Sequence, residues 1–201
     1  MDLSVLKNLN IHFFGAEASE SGHKACYFVV RPFGNYLIFG LDRLPINPTF
    51  LMSKGGVYKQ LFTRMDQLTP QGKKFFTTFG CSAVLPPNGD PFSYDPQIRF
   101  EIFGKDFHDK DLLYMKVGDG YWPYLYKQND RAVIFPDEGL LIHNGEWKLR
   151  TKATLEQLDA LQRLEVDVIL PRLFIGASPY QAVGPEVYFR KIEELKNQIA
   201  N

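Results

Sequence analysis

Apolar residues run through this chain mostly as short stretches divided by turn formers, with helical spacing at a few places only. Ile11-His12-Phe13-Phe14 reads as a first strand, and a polar segment follows over 17–24. Residues 25–30 and 36–39 are two apolar runs that flank Arg31-Pro32-Phe33-Gly34-Asn35, a set of turn formers, which predicts a hairpin. Pro45 and Pro48 break a loop, and Phe50-Leu51-Met52 predicts a helical turn ending at Gly55-Gly56. Residues 57–62 form the next predicted strand. Thr69 as N-cap, Pro70 at the first helical position and Gly80 past the end punctuate a helix whose buried face is Phe75, Phe76 and Phe79. Residues 81–85 return as a strand. Strand, helix and strand at this spacing predict a right-handed parallel crossover.

A loop with four prolines covers 86–96. Beyond it the pattern predicts strands over 98–103, 112–117, 123–126, 132–135 and 140–143, with Asn129-Asp130 turning between two of them. Together they read as an antiparallel meander. The final third alternates helix and strand again. Thr154 with Gln157 makes a capping box, and Leu155, Leu158, Leu161 and Leu164 mark one helical face. Residues 166–170 are a buried strand stopped by Pro171. A last helix has Pro185 in its first turn and an apolar face of Tyr188, Ile192, Leu195 and Ile199.

Length and composition bound the picture. The chain has 201 residues, the size of a single domain spanning 1–201, and two closely packed halves would also fit. At 45% apolar residues it holds material for a real core, and 17 Phe and 10 Tyr suit sheet surfaces. Its formal net charge is zero and it has no run of Lys or Arg, which excludes broad electrostatic capture of nucleic acid or an anionic membrane. Cys26 and Cys81 lie far apart in apolar runs, outside any CxxC pair, and read as buried free thiols in a reducing compartment. Without a long apolar stretch near its start, the chain is expected to be cytoplasmic.

The order of these elements, with their strand-end landmarks, resembles the metallo-β-lactamase superfamily. The landmarks are Arg31-Pro32-Phe33-Gly34-Asn35-Tyr36-Leu37-Ile38, the strand from Gly55-Gly56 to Thr63, the helix leading to Phe79-Gly80-Cys81, the meander ending near Asp137, and Val168-Ile169-Leu170-Pro171. The resemblance runs from about Lys24 to Pro171 and is nearest to glyoxalase II-like hydrolases with a Thr-His-x-Asp-Asp metal loop. It implies an α/β fold, a four-layer αβ/βα sandwich, with metals held in strand-end loops.

Carried over residue by residue, that resemblance places Arg64 at the first metal-loop histidine and Asp66 at the second ligand. Gln67 stands for the aspartate of the second metal, and Leu68 for the histidine beside it. The third histidine falls near Gly118 or Asp119. The bridging aspartate maps to Asp137, the last histidine to Leu173, and the early orienting aspartate to Phe39. Catalytic zinc needs three protein ligands of the His, Cys or carboxylate type and an open position for water. None of these positions holds an imidazole, and Arg64 adds a fixed positive charge. The expectation is a non-catalytic protein, a pseudoenzyme with a lost zinc site and no cofactor, that binds a small ligand or a partner protein. In it Arg64 is an anion contact, or pairs with Asp66 or Asp137 and fills the vacated pocket. The alternative is a hydrolase of esters, thioesters or phosphoesters that uses magnesium or manganese on Asp66, Asp137 and Asp119.

The remaining candidates read structurally. His12, His23, His108 and His143 form no paired-ligand spacing; His12 and His143 sit among apolar residues, while His23 and His108, in polar loops, stay open. No Gly-x-Ser-x-Gly elbow and no P-loop is present. Trp122, Tyr124 and Tyr126 share one face of a strand. Sheet packing is one reading of that face. Another is a ligand-pocket wall formed by Trp122 and Tyr124, and a third is a homodimer contact.

Overall fold

The computed structural model describes residues 4–41, 46–64, 67–87, 89, 97–118, 123–176 and 181–200. Its contacts group into two compact units, residues 1–19 with 24–108 and residues 20–23 with 109–201. Among the described residues no helix is long and apolar enough to cross a membrane.

The first unit contains α1 (Ser4–Asn8), β1 (Ile11–Ser19), β2 (Gly22–Val29, from Lys24 onward), β3 (Tyr36–Ile38), α2 (Pro48–Ser53), β4 (Lys59–Leu61), α3 (Pro70–Phe79), β5 (Ser82–Leu85) and β6 (Phe100–Ile102). β1 pairs with β2. The predicted hairpin is present, with Tyr27 opposite Ile38 and Val29 opposite Tyr36. β3, β4, β5 and β6 then run parallel in that order. The turn predicted at Phe50 is α2, capped by the Asn47 side chain, which accepts from Thr49 N–H.

α3 is bounded as its sequence dictates. Thr69 Oγ1 accepts from Gly72 N–H at 3.0 Å, and Gly80 closes the helix at φ 63° with its N–H on Phe76 O. Phe75 and Phe76 enter a core with Phe28, Leu37, Leu51, Phe62, Ala83 and Leu85, and the half-buried Phe79 packs against it. Both cysteines are buried free thiols. Burial pushes the Cys81 thiol up to about 11, against a hydrogen bond from Gln60 that lowers it, so it is unreactive near neutral pH.

The second unit contains β7 (Leu112–Tyr114), β8 (Tyr124–Gln128), β9 (Arg131–Phe135), β10 (Leu140–His143), β11 (Glu146–Leu149), α4 (Leu155–Gln162), β12 (Val168–Ile169), β13 (Leu173–Ile175), β14 (Gln181–Ala182) and α5 (Gly184–Ala200). β7, β8 and β9 form an antiparallel meander; β12 adds parallel to β9, and β14 antiparallel to β12. β10 pairs instead with β11 and, in parallel, with β13. The expected meander is therefore shorter than the pattern suggested. At its start, β6 belongs to the parallel set beside β5. At its end, Pro136 lacks an N–H and breaks the chain away from β9 before β10 begins. Asn129 and Asp130, both at positive φ, do make the tight turn between β8 and β9.

α4 carries the expected capping box, with both reciprocal bonds formed. Leu158, Leu161, Tyr188, Ile192 and Leu195 pack with Leu125, Ile134, Leu140, Ile142, Trp147 and Ile169 into the second core. Leu155 and Ile199 fall outside it and are exposed. Each is the terminal member of its periodic face, at a helix end the core does not reach.

Candidate functional site

In the first unit the site positions follow the end of β4. Thr63 is buried and Arg64 is exposed. Asp66 lies outside the described residues. Gln67 is 1% exposed, and its amide is turned back on the chain: Oε1 accepts from Thr63 N–H at 3.0 Å and Nε2 donates to Thr63 Oγ1 at 2.8 Å. This is a neutral, two-point tie across the loop. Gly40 lies against it, for a β-carbon there would stand 2.2 Å from Gln67 O. Leu68 packs half-buried on the phenylalanine core. Phe39, at the place of the early aspartate, is 1% exposed and holds φ 66°, a left-handed conformation that bulky residues seldom adopt. Its N–H donates to Leu61 O and its carbonyl accepts from Cys26 Sγ. An apolar ring and a thiol thus occupy a place expected to carry a carboxylate.

In the second unit Asp137 follows β9 and is fully buried. Its main-chain carbonyl accepts from Leu140 N–H at 3.0 Å. Arg172, 6% exposed along its side chain, puts Nε 3.9 Å from Asp137 Oδ1 and 3.0 Å from Glu138 Oε1. Leu173 opens β13, fully buried. Tyr124 is fully buried and stacks on Tyr114, with ring centroids 4.6 Å apart. Burial, and secondarily the charge of Asp137, holds the Tyr124 hydroxyl neutral well above its ordinary range. The Tyr114 hydroxyl is raised by burial first, then by Tyr124 and Asp137. Gly118, near the third-histidine position, donates its N–H to Gln157 Oε1 at 3.0 Å, joining the capping network of α4. Asp119 and Trp122 lie outside the described residues.

Taken unit by unit, the described side chains do not fit a zinc ion. Gln67 spends its amide on Thr63, Leu173 is hydrocarbon in a strand, and Arg172 puts a guanidinium beside Asp137, the one described of the candidate aspartates Asp66, Asp119 and Asp137. Among the described residues no three His, Cys, Asp or Glu side chains come together as a metal-binding group. Two histidines sit against aromatic rings: His12 is 5.2 Å from the ring of Phe50 and 6.3 Å from that of Phe28, and His23 is 5.4 Å from that of Phe174.

Arg64 has an exposed side chain. The buried guanidinium beside Asp137 belongs to Arg172. That residue escaped sequence reasoning although it sits next to Leu173. Its signal was a charged residue inside an apolar segment, between buried Pro171 and Leu173.

No family model matches the chain, and no curated protein matches it. Solved structures do. A B3 metallo-β-lactamase with an active-site glutamic acid is similar at a TM-score of 0.58 and 14% identity, over 100% of this chain and 94% of that one. The MIM-2 metallo-β-lactamase is similar at 0.56 and 13%, over 95% and 86%. A metallo-β-lactamase from Staphylococcus aureus is similar at 0.60 and 9%, over 93% and 66%. These likenesses do not single out the glyoxalase II-like branch. Identities this low speak for architecture and leave chemistry to the side chains: the chain has the metallo-β-lactamase fold.

Proposed function

We propose that this protein is a non-catalytic bearer of the metallo-β-lactamase fold, with its zinc site lost, that acts by binding a small molecule or a partner protein. The observation that carries the reading is Gln67. A ligand position has become a neutral amide, 1% exposed, with both functional atoms bonded to Thr63. An amide so engaged cannot turn to a metal without giving up two buried hydrogen bonds. Leu173, buried in β13, removes a second position outright.

Without metal-lowered water acidity the fold has no neutral-pH nucleophile at these positions. What persists is a scaffold with the end of β4 tied down, suited to recognition. Elemental analysis of protein purified from metal-supplemented medium tests this directly. The expected result is substoichiometric zinc and no turnover of ester, thioester or phosphoester substrates. One zinc per chain would overturn the reading. Bound manganese or magnesium with turnover would establish the carboxylate-site hydrolase in its place.

A further inference from the structure

The buried ion cluster of the second unit carries an inference that rests on the reading above and deepens it. Two adjacent acids, Asp137 at 0% and Glu138 at 14% side-chain exposure, face one arginine at 6%. Main-chain bonds fix both sides of the cluster. Arg172 N–H donates to Pro136 O at 2.9 Å, and Leu140 N–H donates to Asp137 O at 3.0 Å. The guanidinium therefore starts from the entrance of β13 and meets the carboxylates at the exit of β9. Carboxylates withdrawn from water this far require a counter-charge nearby. A guanidinium supplies one that does not dissociate and does not deprotonate. We propose that Arg172 is the resident cation of this cluster, a covalently attached replacement for the positive charge that a bound metal ion would bring to Asp137.

A purely structural arginine, packing through its methylenes, would make a different prediction from a counter-charge, and a mutational cycle separates them. Arg172→Met is expected to lower the melting temperature by roughly 10 °C, because it takes a buried counter-charge from the two acids. Asp137→Asn with Glu138→Gln, placed on Arg172→Met, is expected to restore at least half of that loss. The same two changes on the unaltered chain are expected to destabilise it, since they take two negative charges from beside a buried guanidinium. Arg172→Lys is expected to fall between Arg172→Met and the unaltered protein.

A triple variant no more stable than Arg172→Met, or an Arg172→Met variant that melts with the parent, overturns the proposal. If Arg172→Met does not fold, a folded triple variant supports the proposal and an unfolded one overturns it. Failure of this cycle leaves the metal-free reading standing. Zinc found in the unaltered protein removes that reading whatever the cycle shows.

Discussion

Tyr188 in α5 is 1% exposed, its ring edge-on to Trp147 at 5.9 Å, and among the described residues its hydroxyl has no hydrogen-bond partner. Burial raises that hydroxyl far above its ordinary range, so it stays protonated. A buried hydroxyl with nothing to bond costs stability that a phenyl ring does not. Tyr188→Phe is therefore expected to stabilise the protein by about 1 kcal/mol, read from the urea midpoint. His12 gives a second test. Burial, and then the charge of Lys54, lowers its pKa below 6.5. The unfolded chain binds the proton more readily, so this contribution to stability is present above pH 6.5 and is lost as the pH falls from there through the lowered folded value. His12→Gln is expected to flatten that part of the stability profile between pH 8 and 5, measured by denaturation at each pH.

Among elements, the parallel strands of the first unit share a buried polar knot. Lys59 on β4 puts Nζ 2.6 and 2.7 Å from the Glu101 carboxylate on β6 and 2.8 Å from Ser82 Oγ on β5. Ser82 Oγ in turn donates to Glu101 Oε1 at 3.0 Å. Each member is at most 6% exposed, and the knot ties together three neighbouring strands. Breaking one side is the costly change, so Lys59→Met is expected to lose roughly 3 kcal/mol, while Lys59→Met with Glu101→Met recovers most of it. Denaturant titration of both variants checks this. A serine beside a lysine suggests a nucleophile, but here both the Lys59 ammonium and the Ser82 hydroxyl are spent on the Glu101 carboxylate.

For the molecule as a whole, the sequence was a good guide wherever one local rule decides the outcome. The caps at Thr69, Gly80 and Thr154, the hairpin around Gly34 and the β4–α3–β5 parallel unit are dictated within a few residues and are all present. Strand partnership is less legible, because a half-buried strand reads alike whichever neighbour it takes. β10 illustrates the point. Its apolar pattern was plain, yet its partners are β11, which the strand pattern passed over despite the Asn144-Gly145 turn at positive φ, and distant β13. At the site, residue types were legible and their partners were not. The absence of imidazole can be counted from a sequence. The fold-back of Gln67 onto Thr63 and the reach of Arg172 to Glu138 depend on side-chain direction, which spacing does not encode.

The Thr63–Gln67 tie has a physical consequence. It is made of uncharged groups that neither titrate between acid and neutral pH nor weaken with salt. A strand end secured this way keeps its shape in dilute and concentrated salt alike.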